Sequence, residues 1–142
     1  MDLRSKTDTI VVHCAQTPKD MDIGADEITK WHKQRGFDTI GYHFVIRRDG
    51  TIETGRDIKA VGAHAVQVNG TSIGICLVGG GTPDMSWENN FNPEQFESLK
   101  SLILKLKDDY EIEKIIGHYQ VDNKKACPSF EIPKWLEENG LV

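Results

Sequence analysis

An α/β fold in a single domain, with a central mixed β-sheet flanked by helices, is what this sequence predicts, and three observations predict it. Short β-branched or apolar runs of strand length recur at 9–14, 42–48, 51–54, 72–78 and 115–118. Helical patterns fall between and after them. One Asp-Gly pair, Asp49-Gly50, joins two runs at hairpin distance, so one strand pair is antiparallel in an otherwise alternating order.

In chain order, Thr9 to Cys14 (T-I-V-V-H-C) is short and β-branched and reads as a buried first strand. Gly24 to Arg35 carries Ile28, Trp31 and Arg35 at helical spacing and is stopped by Gly36. Tyr42 to Arg48 and Thr51 to Thr54 are the two arms of the hairpin. Ser72 to Val78 is nearly all apolar, the pattern of a central strand covered on both faces, and Gly79-Gly80-Gly81 ends it. The clearest helix runs from Pro93 to about Tyr110. Asn92 suits its N-cap, Pro93 its first position, and Gln95 can close a capping box. Phe96, Leu99, Leu102, Ile103, Leu106 and Tyr110 form its apolar stripe. Ile115 to His118 is a further short strand, and Ile132 to Asn139 a last helix before Gly140. No repeat or linker divides residues 1–142, so one domain is expected, with residues 1–8 as a short N-terminal arm.

Charge and composition narrow the function classes. The 17 basic residues against 22 acidic ones give a net charge of -5, which argues against nucleic-acid binding, because such binders use a basic surface to release counterions. No apolar run approaches the roughly 20 residues that span a bilayer, so no membrane insertion is expected. Met1 to Asp8 has no apolar segment after its charges, hence no signal peptide, and a cytoplasmic protein is expected. Three cysteines, Cys14, Cys76 and Cys127, cannot all pair within one chain, so a disulfide framework is not expected.

Hydrolytic or metal chemistry can rest on few side chains. His13 ends the first strand, His118 ends the strand before a polar loop, and Cys127 precedes Pro128 and the last helix. Ends of strands in an α/β sheet are where side chains from separate elements converge on a crevice. Two imidazoles and a thiolate suit Zn²⁺, and three protein ligands leave one position for a water that becomes hydroxide near neutral pH. The plainer alternative is two hydrogen-bonded or surface histidines and a buried thiol. By spacing alone it is the stronger reading, because 13 and 118 are too far apart to form a local metal motif.

An ordered set of segments carries a more specific signal. They are Val11-Val12-His13-Cys14-Ala15, Gly41-Tyr42-His43-Phe44 with Arg48-Asp49-Gly50-Thr51, and Gly55-Arg56-Asp57. Then come Gly62-Ala63-His64-Ala65, Asn69 with Ser72 to Gly79, Gly117-His118, and Lys125-Ala126-Cys127-Pro128-Ser129-Phe130. Taken together, from about residue 9 to residue 140, the chain resembles the zinc-dependent N-acetylmuramoyl-L-alanine amidases of the Amidase_2 and peptidoglycan-recognition-protein superfamily. Within it, the resemblance is to the small endolysins of T-seven-like podoviruses. The resemblance implies one zinc ion held by His13, His118 and Cys127, with Tyr42 and Lys125 as catalytic residues and His64 and Asn69 in the substrate groove. Lys125, rather than the adjacent Lys124, has the Lys-x-Cys-Pro spacing of the catalytic lysine.

The activity so implied is hydrolysis of the amide between N-acetylmuramic acid and L-alanine in peptidoglycan, leading to host lysis. The protein would be a monomer held in the host cytoplasm until it reaches the wall from the periplasm, with no appended wall-binding domain. Lys125 would stabilise the oxyanion, while Tyr42 would orient or deprotonate the water or donate to that oxyanion. Alternatives are a non-catalytic peptidoglycan-binding module, a regulator that binds a phage RNA polymerase, and a Cys127/His118 thiol hydrolase. Of the remaining residues, His43 reads as a packing or hydrogen-bonding histidine and His32 as a surface one. Cys14 and Cys76 read as core thiols, Asn69 and Ser72 as fixing their loop, and Trp87 and Phe91 as anchors or a groove rim.

Overall fold

All six residues of β1 (Thr9–Cys14) are buried, as its β-branched composition requires. The computed structural model describes residues 2–142; Met1, the first residue of the expected arm, lies outside the described residues. After β1 come α1 (Ala25–Gln34), the hairpin β2 (Phe44–Ile46) and β3 (Ile52–Thr54), β4 (Ser72–Leu77), α2 (Pro93–Asp109), β5 (Lys114–Gly117) and α3 (Ile132–Glu138). The five strands form one sheet in the order β3-β2-β4-β1-β5. β1, β2, β4 and β5 are mutually parallel, and β3 runs antiparallel to β2 at the edge, so the sheet is mixed as expected.

Alternation along the strands divides the side chains between two layers. Ile10, Val12, Ile46, Ile73, Ile75 and Leu77 face α2 and α3 and pack with Leu99, Leu102, Ile103, Leu106, Ile132 and Leu136. This is the main core, and full burial of each such side chain contributes roughly 1.5–3 kcal/mol of transfer free energy. On the opposite face Val45 and Cys76 pack with Ile23, Ile28, Ile40 and Val78 beneath α1. That layer is smaller, and beside it the sheet carries His13 instead of an aliphatic side chain.

The N-terminal end of α2 is sewn to the sheet by Gln95, which is fully buried. Its Oε1 accepts the Asn92 N–H at 3.0 Å, the anticipated capping contact, and also accepts from the Arg48 guanidinium at 3.0 Å. Its Nε2 donates to the Val78 carbonyl at 2.8 Å. Arg48 itself also reaches the Asn90 carbonyl at 2.8 Å, so a buried cation is satisfied without a carboxylate.

Four expectations are corrected. The hairpin strands are shorter than 42–48 and 51–54, because the chain is bent at 41 and 43, although His43 still bonds Gly74 of β4, and Arg48-Asp49 already belong to the turn. In α1 the buried face is Ile28 and His32, an i, i+4 pair, while Trp31 is 38% exposed. His32 is therefore no surface residue: its Nδ1 accepts the Gly41 N–H at 2.9 Å, a backbone donor that would otherwise be buried unpaired. Residues 2–4 do not project as an arm. The Val61 N–H donates to the Asp2 carbonyl at 2.8 Å, and Leu3 bridges Ala60. Among the described residues the three cysteines are free thiols, and no helix is long and apolar enough to cross a membrane.

Candidate metal centre and its groove

The register of β1 and β5 explains why His13 and His118 meet although they are distant in sequence. The two strands run parallel with Val12 beside Gly117, so the next residue on each, His13 and His118, are neighbours at the same end of the sheet. Their ring centroids are 4.5 Å apart. Cys127 arrives on the loop after the short 3₁₀ turn His118–Gln120, tied down where the Tyr119 N–H donates to its carbonyl at 2.9 Å. Its Sγ receives the Cys14 N–H at 2.9 Å. One ligand atom from each of His13, His118 and Cys127 lies within 4.8 Å of the others, an arrangement that could hold a metal ion.

His118 and Cys127 line a cavity of about 410 Å³, with the buried His13 against them. Tyr42 stands beside the triad with its ring 5.0 Å from that of His13, placed there by the bend at 41–43. Lys125 is exposed on the cavity wall, two residues before Cys127. Trp87 and the exposed Val66 contribute apolar wall, while Phe91 instead packs inward against Phe96 and Phe130. His64 lines the cavity, yet its ring is engaged: Nδ1 lies 2.8 Å from His13 Nε2 and Nε2 lies 3.3 Å from Ser72 Oγ. Asn69 Oδ1 accepts the backbone N–H groups of His64 and Ala65 at 2.9 and 2.8 Å. His43 is buried as expected, its Nδ1 accepting the Gly74 N–H at 3.0 Å and its Nε2 lying 2.8 Å from the Ala60 carbonyl. Gly74 was not singled out from the sequence. A glycine inside an otherwise apolar strand run was the available signal, since it marks a close approach.

Burial sets the protonation of the site. It holds His13 well below the usual histidine range, with His64 and His118 acting in the same direction, and holds His64 down to about 3. His118 is lowered chiefly by burial, which Lys125 reinforces and Asp122 opposes. The imidazoles are therefore neutral lone-pair donors at neutral pH, as metal ligation requires. Burial pushes the Cys127 thiol up and the Tyr42 hydroxyl well above its ordinary value.

The domain is α/β, and in it two neutral imidazoles and a thiol converge beside a groove as a cluster that could hold a metal ion. Residues 3–130 match the N-acetylmuramoyl-L-alanine amidase family. The endolysins of Klebsiella phage KP32 and Escherichia phage T7 are each 48% identical over 139 residues, covering 98% of this chain and 91% of the relative. Among solved structures, the N-acetylmuramoyl-L-alanine amidase LysC from Clostridium intestinale URNW is similar with a TM-score of 0.82 at 33% identity. That match covers 96% of this chain and 87% of the other. The chain belongs to the N-acetylmuramoyl-L-alanine amidase family and has the activity of a phage-type endolysin within it. The fold and activity expected from the sequence motifs are thus met.

Proposed function

We propose that the protein is a zinc-dependent endolysin that cleaves the amide joining N-acetylmuramic acid to the L-alanine of the stem peptide, with His13, His118 and Cys127 as ligands of one ion. The observation that carries this reading is the convergence of those three donors, two of which, His118 and Cys127, line the groove. The donor set fits zinc. Two imidazoles and a sulfur are its borderline-soft ligands, and tetrahedral coordination needs donors roughly 3.5 Å apart, within the observed spread. The Cys14 N–H aimed at Cys127 Sγ favours a thiolate there. Bound in this place, zinc would supply Lewis acidity toward the scissile carbonyl and acidify a water.

The remaining work belongs to the chain's own groups. Lys125, a cation on the groove wall, offsets negative charge that develops on the carbonyl oxygen in the transition state. Tyr42, beside His13, is placed to hold the attacking water or to donate a hydrogen bond to that oxygen. Trp87 and Val66 form an apolar wall against which a muropeptide can lie. Residues 1–142 act as one catalytic domain and as a monomer. In this reading the protein stays in the host cytoplasm until lysis and then acts on the wall from the periplasm.

Mass spectrometry of digested peptidoglycan tests the proposal. Stem peptides beginning with free L-alanine should appear with zinc-loaded protein and vanish with chelator. The Cys127→Ala chain should lose both turnover and stoichiometric zinc. Full turnover in that variant, or chelator-resistant wild-type turnover, would overturn the assignment.

A further inference from the structure

The Ser72 hydroxyl lies 2.7 Å from the Val68 carbonyl oxygen, which can only accept, so the single hydroxyl proton is committed there. With that proton spent, Ser72 Oγ can only accept from His64 Nε2 at 3.3 Å, so the His64 hydrogen is on Nε2. A neutral imidazole has one N–H, which leaves a lone pair on His64 Nδ1. That lone pair faces His13 Nε2 at 2.8 Å, so the His13 hydrogen is on Nε2 and its Nδ1 is bare.

We propose that His64 is the positioning residue of the metal centre: it fixes the tautomer and orientation of His13, so that Nδ1 is the atom His13 offers to zinc. The inference rests on the zinc reading above. The chain from Val68 through Ser72 and His64 to His13 uses both ring nitrogens of His64, leaving neither for substrate. Its backbone is fixed as well, because Asn69 Oδ1 takes the N–H groups of His64 and Ala65. Space for the ring is built in from two sides. A Cβ on Gly74 would stand 2.6 Å from His64 Cγ, and one on Gly62 would stand 2.6 Å from its Cδ2. A neighbour that accepts the second N–H of a ligating histidine makes the ligand more basic and removes the wrong tautomer from the apo state.

The test compares the wild-type chain with His64→Leu, which keeps bulk and loses the acceptor, and with His64→Asn, which offers Oδ1 near the former Nδ1. Zinc dissociation constants come from chelator competition, coordination from the visible spectrum of the cobalt-substituted protein, and the His13 tautomer from nitrogen NMR of the metal-free chain. His64→Leu should weaken zinc roughly 10- to 100-fold and shift the cobalt bands, with His64→Asn recovering most of the affinity. In the metal-free wild type His13 should carry its hydrogen on Nε2. Folded His64→Leu with wild-type affinity and cobalt spectrum would overturn the inference, as would a rise in KM as its only change. If His64→Leu does not fold, Ser72→Ala decides: it should lower the Nε2–H population of His13, and an unchanged tautomer and affinity would sink the idea. A wild-type chain that binds no zinc would instead refute the zinc reading, while the metal-free tautomer measurement still decides the role of His64.

Discussion

Lys125 sits in the loop that delivers Cys127, so its charge is held near the donors without being one of them. Replacing it by alanine should leave zinc content unchanged and lower kcat by about 10²-fold or more, as deletion of an oxyanion donor does. Metal analysis alongside turnover on peptidoglycan checks this, and wild-type turnover would remove Lys125 from the mechanism. At this scale the local segments around His13, Tyr42, His118 and Cys127 were legible in the sequence. Their meeting was not legible from spacing, because strand register brings 13 and 118 together. His32 was misread for a related reason. Trp31 is the more apolar neighbour, but the Gly41 N–H, supplied by the connection between α1 and β2, selects the imidazole for burial. His64 was expected in the substrate groove and lines the cavity, while its ring partners on Ser72 and His13 depend on how three separate segments pack.

Among the elements, α2 was the most legible and Gln95 the least. Its periodic stripe fixes which face packs, whereas only the folded chain shows that Gln95 bonds the sheet as well as its own helix start. Gln95→Leu would leave the Asn92 N–H without its acceptor, take one acceptor from Arg48 and leave the Val78 carbonyl only its 3.3 Å bond from Arg48, and should destabilise the protein by about 2–4 kcal/mol. Urea unfolding measures this, with zinc affinity expected to stay near wild type in the folded fraction. Leu99→Ala, in the same helix and fully buried, should cost a similar 2–5 kcal/mol through lost burial and a cavity. The ends of β2 were illegible because the course of 41–43 depends on backbone bonds to Gly74 of β4 and to Gly55 and Arg56 just after β3.

For the whole molecule, buried neutral histidines predict an acid limit on stability. Burial holds His32 and His43 each down to about 4, against about 6.5 when unfolded. Their contribution is therefore complete above pH 6.5 and is lost as pH falls toward 4, where the unfolded chain takes up protons that the folded chain refuses. The slope is up to about 1.4 kcal/mol per pH unit for each histidine. The thermal midpoint of the metal-free protein should fall between pH 7 and pH 5, more gently in His43→Gln, and a flat profile would contradict the assignment. The two-sided sheet has a further consequence for how such a protein can change. Ile103 is buried in the main core and the exposed Val66 lines the groove, so their substitutions should have additive effects. One lineage could therefore retune its wall chemotype while another hardens its scaffold, and recombining the two should keep both gains.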